Sequence, residues 1–124
     1  MKQEDLDKAI NAINEEQREL ENKISALKAK KMELQRQYVC EYPNKVKEGS
    51  KIRIKAKWGG TEKEYTVFVG CHAFKGSVYG SYDYSCLYED KNIGAKLLKV
   101  KKDGTPSERV ERIWGDVIEF KILE

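Results

Sequence analysis

The stretch KIRIKAKWGGTEKEYTVFV, residues 51–69, reads as two alternating strands around a glycine pair. Ile52, Ile54, Ala56 and Trp58 share one parity and Lys51, Arg53, Lys55 and Lys57 the other, the period of a strand with one buried face. Gly59-Gly60 is a two-residue hairpin signal. Folding across it sets Ile52 opposite Val67, Ile54 opposite Tyr65, Lys55 opposite Glu64 and Lys57 opposite Glu62. Apolar pairing and charge pairing therefore select the same register.

Strand signals continue outward through SVYGSYDYSCLY (77–88), AKLLKVKK (95–102), ERVERIW (108–114) and VIEFKIL (117–123), with turns expected at 90–94, 103–106 and 115–116. Five or six short antiparallel strands in about 80 residues predict a small closed or partly open β-barrel over 39–124. VKEGSKIRI (46–54), a glycine turn before an alternating strand, resembles the first strand of SH3-like barrels, and WGDVIEF (114–120) resembles another such step. The resemblance implies a fold and carries no function, because such barrels bind peptides, nucleic acids and small molecules alike.

Residues 1–38 are written differently. They hold no Gly or Pro and one aromatic, Tyr38, whereas 39–124 hold all nine Gly, both Pro and both Trp. Positions 6, 10, 13, 17, 20, 24, 27, 31, 34 and 38 alternate steps of four and three and carry Leu6, Ile10, Ile13, Gln17, Leu20, Ile24, Leu27, Lys31, Leu34 and Tyr38. Strict 3.5-residue spacing predicts a coiled-coil helix, and the fold class is α+β. No second helix is evident in the chain to cover that seam, so the expected cover for Leu6, Ile10, Ile13, Leu20, Ile24, Leu27 and Leu34 is another copy. The alternatives are a helix folded back on its own barrel and a larger bundle.

Flanking charges choose the orientation. A parallel pair sets Glu16 against Glu21 and Lys23 against Lys28, both repulsive. An antiparallel pair overlapping residues 6–38 sets Glu16 by Lys23 and Glu21 by Lys28, each attractive and each repeated by symmetry. Such pairs are worth only a few tenths of a kcal/mol, but exchanging four repulsions for four attractions favours the antiparallel homodimer by about 1 kcal/mol or more. In that register Gln17 faces Leu27 and Lys31 faces Ile13.

The formal net charge is +3. Residues 1–38 balance eight Lys and Arg with eight Asp and Glu, so the excess lies in the second part, far below that of a polycationic nucleic-acid binder. The opening MKQEDLDKAI lacks a secretory pattern, and no stretch approaches membrane-spanning length, so a soluble cytoplasmic protein is expected. Three widely spaced cysteines suit reduced thiols.

GCHAFKGSVYGSYDYSC (70–86) concentrates the chemistry-bearing residues. In an uninterrupted strand Val67, Val69 and Cys71 face one way and Phe68, His72 and Phe74 the other, which denies Cys71 and His72 a shared metal. One histidine and no paired short cysteine spacing argue against zinc, and no cofactor is expected. The same opposition disfavours a Cys–His nucleophile pair, so the chain is read as non-enzymatic. His72, Phe74, Lys75, Tyr79, Tyr82, Tyr84 and Arg53 are the candidate ligand-binding residues, for a protein or peptide or, as the alternative, for single-stranded nucleic acid or a nucleotide. The bland reading is that the aromatics cover the barrel. The basic row on the first strand resembles a phosphate track, but Glu62 and Glu64 neutralise half of it.

Overall fold

A computed structural model describes residues 1–123. The fold is α+β, with one long N-terminal helix followed by a six-stranded antiparallel sheet. Two compact units are present, Met1–Leu34 and Gln35–Glu124.

Helix α1 spans Gln3–Glu41, with Glu4 and Asp5 in its first turn, where carboxylates favour the positive end of the helix dipole. It ends where Pro43 cannot continue it and Asn44 takes a left-handed conformation (φ 61°). Every residue from Met1 to Leu34 is exposed, including the whole apolar stripe. The helix runs three residues past the expected boundary, and its last turn belongs to the second unit. There Val39 is buried, the Tyr38 hydroxyl donates to the Asp90 carboxylate, the Tyr38 ring meets Phe74 edge-on and Tyr42 packs on Tyr88. No described helix is long and apolar enough to cross a membrane.

Strands β1 (Lys51–Trp58) and β2 (Thr61–Phe74) form the hairpin in the register the sequence dictates, with Ile52 opposite Val67, Ile54 opposite Tyr65, Lys55 opposite Glu64 and Lys57 opposite Glu62. Gly59 and Gly60 turn the chain at φ 56° and 87°. Two short 3-10 turns, Lys75–Ser77 and Ser81–Asp83, then lead to a two-residue β3 (Tyr84–Ser85). The strand expected over 77–88 is thus mostly turn, because Gly80, at φ 71°, interrupts the run. Strands β4 (Ile93–Val100), β5 (Pro106–Val110) and β6 (Asp116–Ile122) complete the sheet.

The strand order is β3-β4-β2-β1-β6, with β5 on β4 beyond β3. The sheet is not closed into a barrel: among the described residues no strand pairs with the outer edge of β6 or of β3. Its core face holds Ile52, Ile54, Val67, Val69, Ala95 and Leu97, all essentially without exposure, with Tyr88, Ile113, Val117 and Phe120 packed against them. Burying a large aliphatic side chain is worth about 1.5–3 kcal/mol, so these positions carry the unit.

A β-bulge interrupts β2. Val69 pairs with Leu97 but His72 pairs with Ala95, so the chain gains one residue between them. Beyond it the alternation is inverted. His72 and Phe74 lie on the side of the buried Ala95 and Ile93, and Cys71 lies on the other. The expectation of Cys71 beside Val67 and Val69, with His72 and Phe74 opposite, is corrected by that one inserted residue. Cys71 and His72 still face apart.

Candidate functional site

The proposed ligand residues divide into three groups. Arg53 stands on the outer face of β1 between Thr66 and Lys121. Beyond it, Lys55 lies between Glu64 and Glu119, and Lys57 between Glu62 and Asp116, so a carboxylate flanks each lysine on both sides. This acid–base–acid ladder offsets Lys55 and Lys57 from both sides, more completely than the hairpin alone could, whereas Arg53 gains a second cation, Lys121, as its neighbour.

His72 and Phe74 are half-buried and packed against neighbouring rings. His72 stacks on Tyr88 with ring centroids 5.8 Å apart and 20° from parallel, and its Nε2 is 2.9 Å from the Tyr88 hydroxyl. Burial, aided by the Lys45 charge and opposed by Glu48, holds the imidazole below its ordinary pKa. Burial likewise raises the Tyr88 phenol. Phe74 carries the Tyr38 ring. Tyr79 projects fully into solvent and joins no cluster.

Lys75, Tyr82 and Tyr84 come together. They line a cleft of about 400 Å³ with Cys86, Lys91, Arg112, Trp114 and Asp116, where β3 approaches the chain entering β6. Two glycines shape its walls. A Cβ on Gly94 would lie 2.7 Å from Cγ of Lys75 and 2.8 Å from Cβ of Tyr84, so the bare backbone lets both side chains close over β4. Gly115, at φ 92°, approaches the Lys57 carbonyl so nearly that a Cβ would sit 2.2 Å from its oxygen. That contact seats Trp114 edge-on to Trp58, centroids 6.5 Å apart, with both indoles about two-thirds exposed (67% and 66%).

Arg112 clasps the cleft. Its Nε donates to Asp83 Oδ1 at 2.9 Å, and its guanidinium lies 4.6 Å from the centre of the Tyr82 ring. Lys75 and Lys91 make no ion pair among the described residues. The Tyr84 phenol is pushed up to about 12, first by its hydrogen bond with Cys71 and then by burial, and stays neutral. A second depression, about 350 Å³, continues from the first along β6, bounded by Leu87, Tyr88, Ile118 and Phe120 and sharing Lys91 and Val117 with it.

Sequence reading missed Lys91, Arg112 and Trp114. ERIW scans as a strand, yet β5 ends at Val110 and Arg112 to Trp114 turn toward the cleft. The Trp114-Gly115 dipeptide was the available signal, since glycine after a large aromatic marks a turn that presents the ring. Among the described residues no three His, Cys, Asp or Glu side chains are placed to hold a metal ion. Cys86, half-buried, turns its Sγ to the Lys91 carbonyl at 3.4 Å. Compared with models of known families, with curated proteins and with solved structures, the chain matches none.

Proposed function

We propose that this is a non-enzymatic binding and scaffolding protein, in which α1 pairs with α1 of a second copy as an antiparallel coiled coil and each copy presents its sheet to a protein or peptide partner. The observation that carries the pairing is the exposed stripe: Ile13, Leu20, Ile24, Leu27 and Leu34 are each more than half exposed. An apolar strip of that length on a solvated helix is an interaction surface. Covering the exposed half of seven stripe residues per copy, at roughly 1 kcal/mol each, yields on the order of 14 kcal/mol per dimer, comparable with the cost of association. The small surplus leaves the Glu16–Lys23 and Glu21–Lys28 contacts to set orientation. Tyr38, engaged by Phe74 and Asp90, ends the stripe, so the pairing segment is 6–34.

Partner binding is assigned to the cleft, where Tyr82, Tyr84 and Trp114 supply rigid contact area and Lys75, Lys91 and Arg112 supply charge. Two copies joined by a rod would engage a repetitive partner with avidity. Sedimentation equilibrium of the full chain at micromolar concentration tests the pairing. Twice the mass of the 14.4 kDa chain is expected, and a monomer overturns the reading. The second reading, a nucleotide or single-stranded nucleic acid stacked in the same cleft, rests on the same aromatics beside Lys75 and Lys91. It predicts binding that falls steeply with salt and with Lys75→Glu.

A further inference from the structure

Both ends of the open sheet meet at the cleft. β3 contributes Tyr84 and Ser85 to one wall and β6 contributes Asp116 and Val117 to the other, yet no backbone ladder joins them among the described residues. Among the described residues contacts cross the gap from Arg112 to Asp83 and to the Tyr82 ring, and from the Tyr88 ring edge-on to Phe120 at 6.1 Å. The two depressions lie one after the other along β6, bounded by 113–117 and then by 117–120.

We propose that the outer edge of β6 accepts an extended acidic peptide as an added strand, whose side chains enter these two depressions; the proposal rests on the peptide reading above and names its geometry. A free strand edge offers unpaired N–H and C=O groups, and successive hollows beside it suit residues of one parity on an incoming strand. Charge selects the peptide. The first depression is lined by Lys75, Lys91 and Arg112 against one carboxylate, Asp116; Arg112 is already held by Asp83, which leaves Lys75 and Lys91 without an ionic partner among the described residues. The second, which shares Lys91 with the first, is lined mainly by Leu87, Tyr88, Val117, Ile118 and Phe120, with Glu89 and Glu119 also on its wall, and takes an apolar side chain. The occupant therefore carries an acidic residue and an apolar residue two positions apart. The β6 bulge, where Lys55 pairs with Glu119 but Ala56 pairs with Val117, leaves Ile118 unpaired and keeps the added ladder short. The depressions then supply the specificity that the backbone cannot.

The full-length protein is panned against random octapeptides displayed on phage, and the tightest binder is resynthesised with one or the other alternate set of backbone amides N-methylated. Strand addition predicts sequences with acidic and apolar residues at i and i+2. It predicts loss of at least about tenfold in affinity on methylating one set of amides and little change on methylating the other, with similar losses for Lys75→Glu and for the exposed Lys91→Glu. Tolerance of both methylated forms, or indifference to both lysine variants, overturns strand addition while leaving the peptide reading in place. Failure to enrich any octapeptide overturns both. Displacement of the bound peptide by AMP at equal affinity gives the cleft to nucleotides and overturns both.

Discussion

The Tyr88 hydroxyl sits between two elements: it accepts the Val46 N–H at 2.7 Å and lies 2.9 Å from Nε2 of His72. Nδ1 of the same imidazole is buried with no hydrogen-bond partner among the described residues. An imidazolium would need acceptors at both nitrogens and finds at most one. Val46 is itself buried, so the contact ties the chain leaving α1 to the sheet.

Stability is therefore expected to fall in mild acid. The folded-state pKa of His72 lies below its ordinary 6.5, so the neutral form stabilises the fold. That contribution is whole above pH 6.5 and is lost as pH drops through the lower folded value. Thermal unfolding midpoints from about pH 7.5 to about pH 5 should decline, and His72→Gln should flatten the decline while costing about 1 kcal/mol at neutral pH. An unchanged pH profile in the variant would remove His72 as the cause.

Charge reversal on the helix distinguishes the two orientations. Glu16→Lys converts both Glu16–Lys23 contacts of an antiparallel dimer to repulsions, but relieves the Glu16–Glu21 repulsion of a parallel one. Dimer dissociation should strengthen by about threefold to tenfold, at a few tenths of a kcal/mol per contact. Analytical ultracentrifugation showing tighter pairing would establish parallel helices.

Dilution should unwind the rod. An isolated helix with no buried face is marginal in water, so ellipticity at the helical band should drop as concentration falls below the dimer dissociation constant. The signal from the sheet should not change. Leu20→Asp should reproduce the diluted spectrum at high concentration.

Gly115→Ala should be costly. The added Cβ meets the Lys57 carbonyl, and the φ of 92° is one that side-chain-bearing residues avoid. A loss of at least about 2 kcal/mol in denaturant unfolding is expected, with altered emission from the Trp58–Trp114 pair. Ala at Gly49, where nothing lies within 4 Å and φ is 88°, should cost only about 1 kcal/mol.

Thiol labelling of the native protein should resolve one fast and two slow cysteines. Cys40 is exposed, whereas Cys71 and Cys86 are half-buried. Rapid alkylation of Cys86 would mark it as an activated nucleophile in the cleft and contradict the non-enzymatic reading.

The hairpin of β1 and β2 was legible residue by residue, because alternation, the Gly59-Gly60 turn and opposite charges are local signals that agree. The exposed stripe on α1 was equally plain, since a helix repeats its pattern without reference to the rest of the chain. Where the strands pass out of phase, sequence was blind. The extra residue between Val69 and His72 moves Cys71, His72 and Phe74 each to the face opposite the expected one, and only the partner strand β4 reveals it; Gly70, an isolated glycine within a strand pattern, was the local hint. The cleft was least readable. Tyr82, Tyr84, Lys91, Arg112 and Trp114 come from segments up to about thirty residues apart, and they meet because β3 and β6 end the same curved sheet. Periodicity is a property of neighbours along the chain, whereas an open edge is a property of the whole sheet, so tertiary structure alone could place them together.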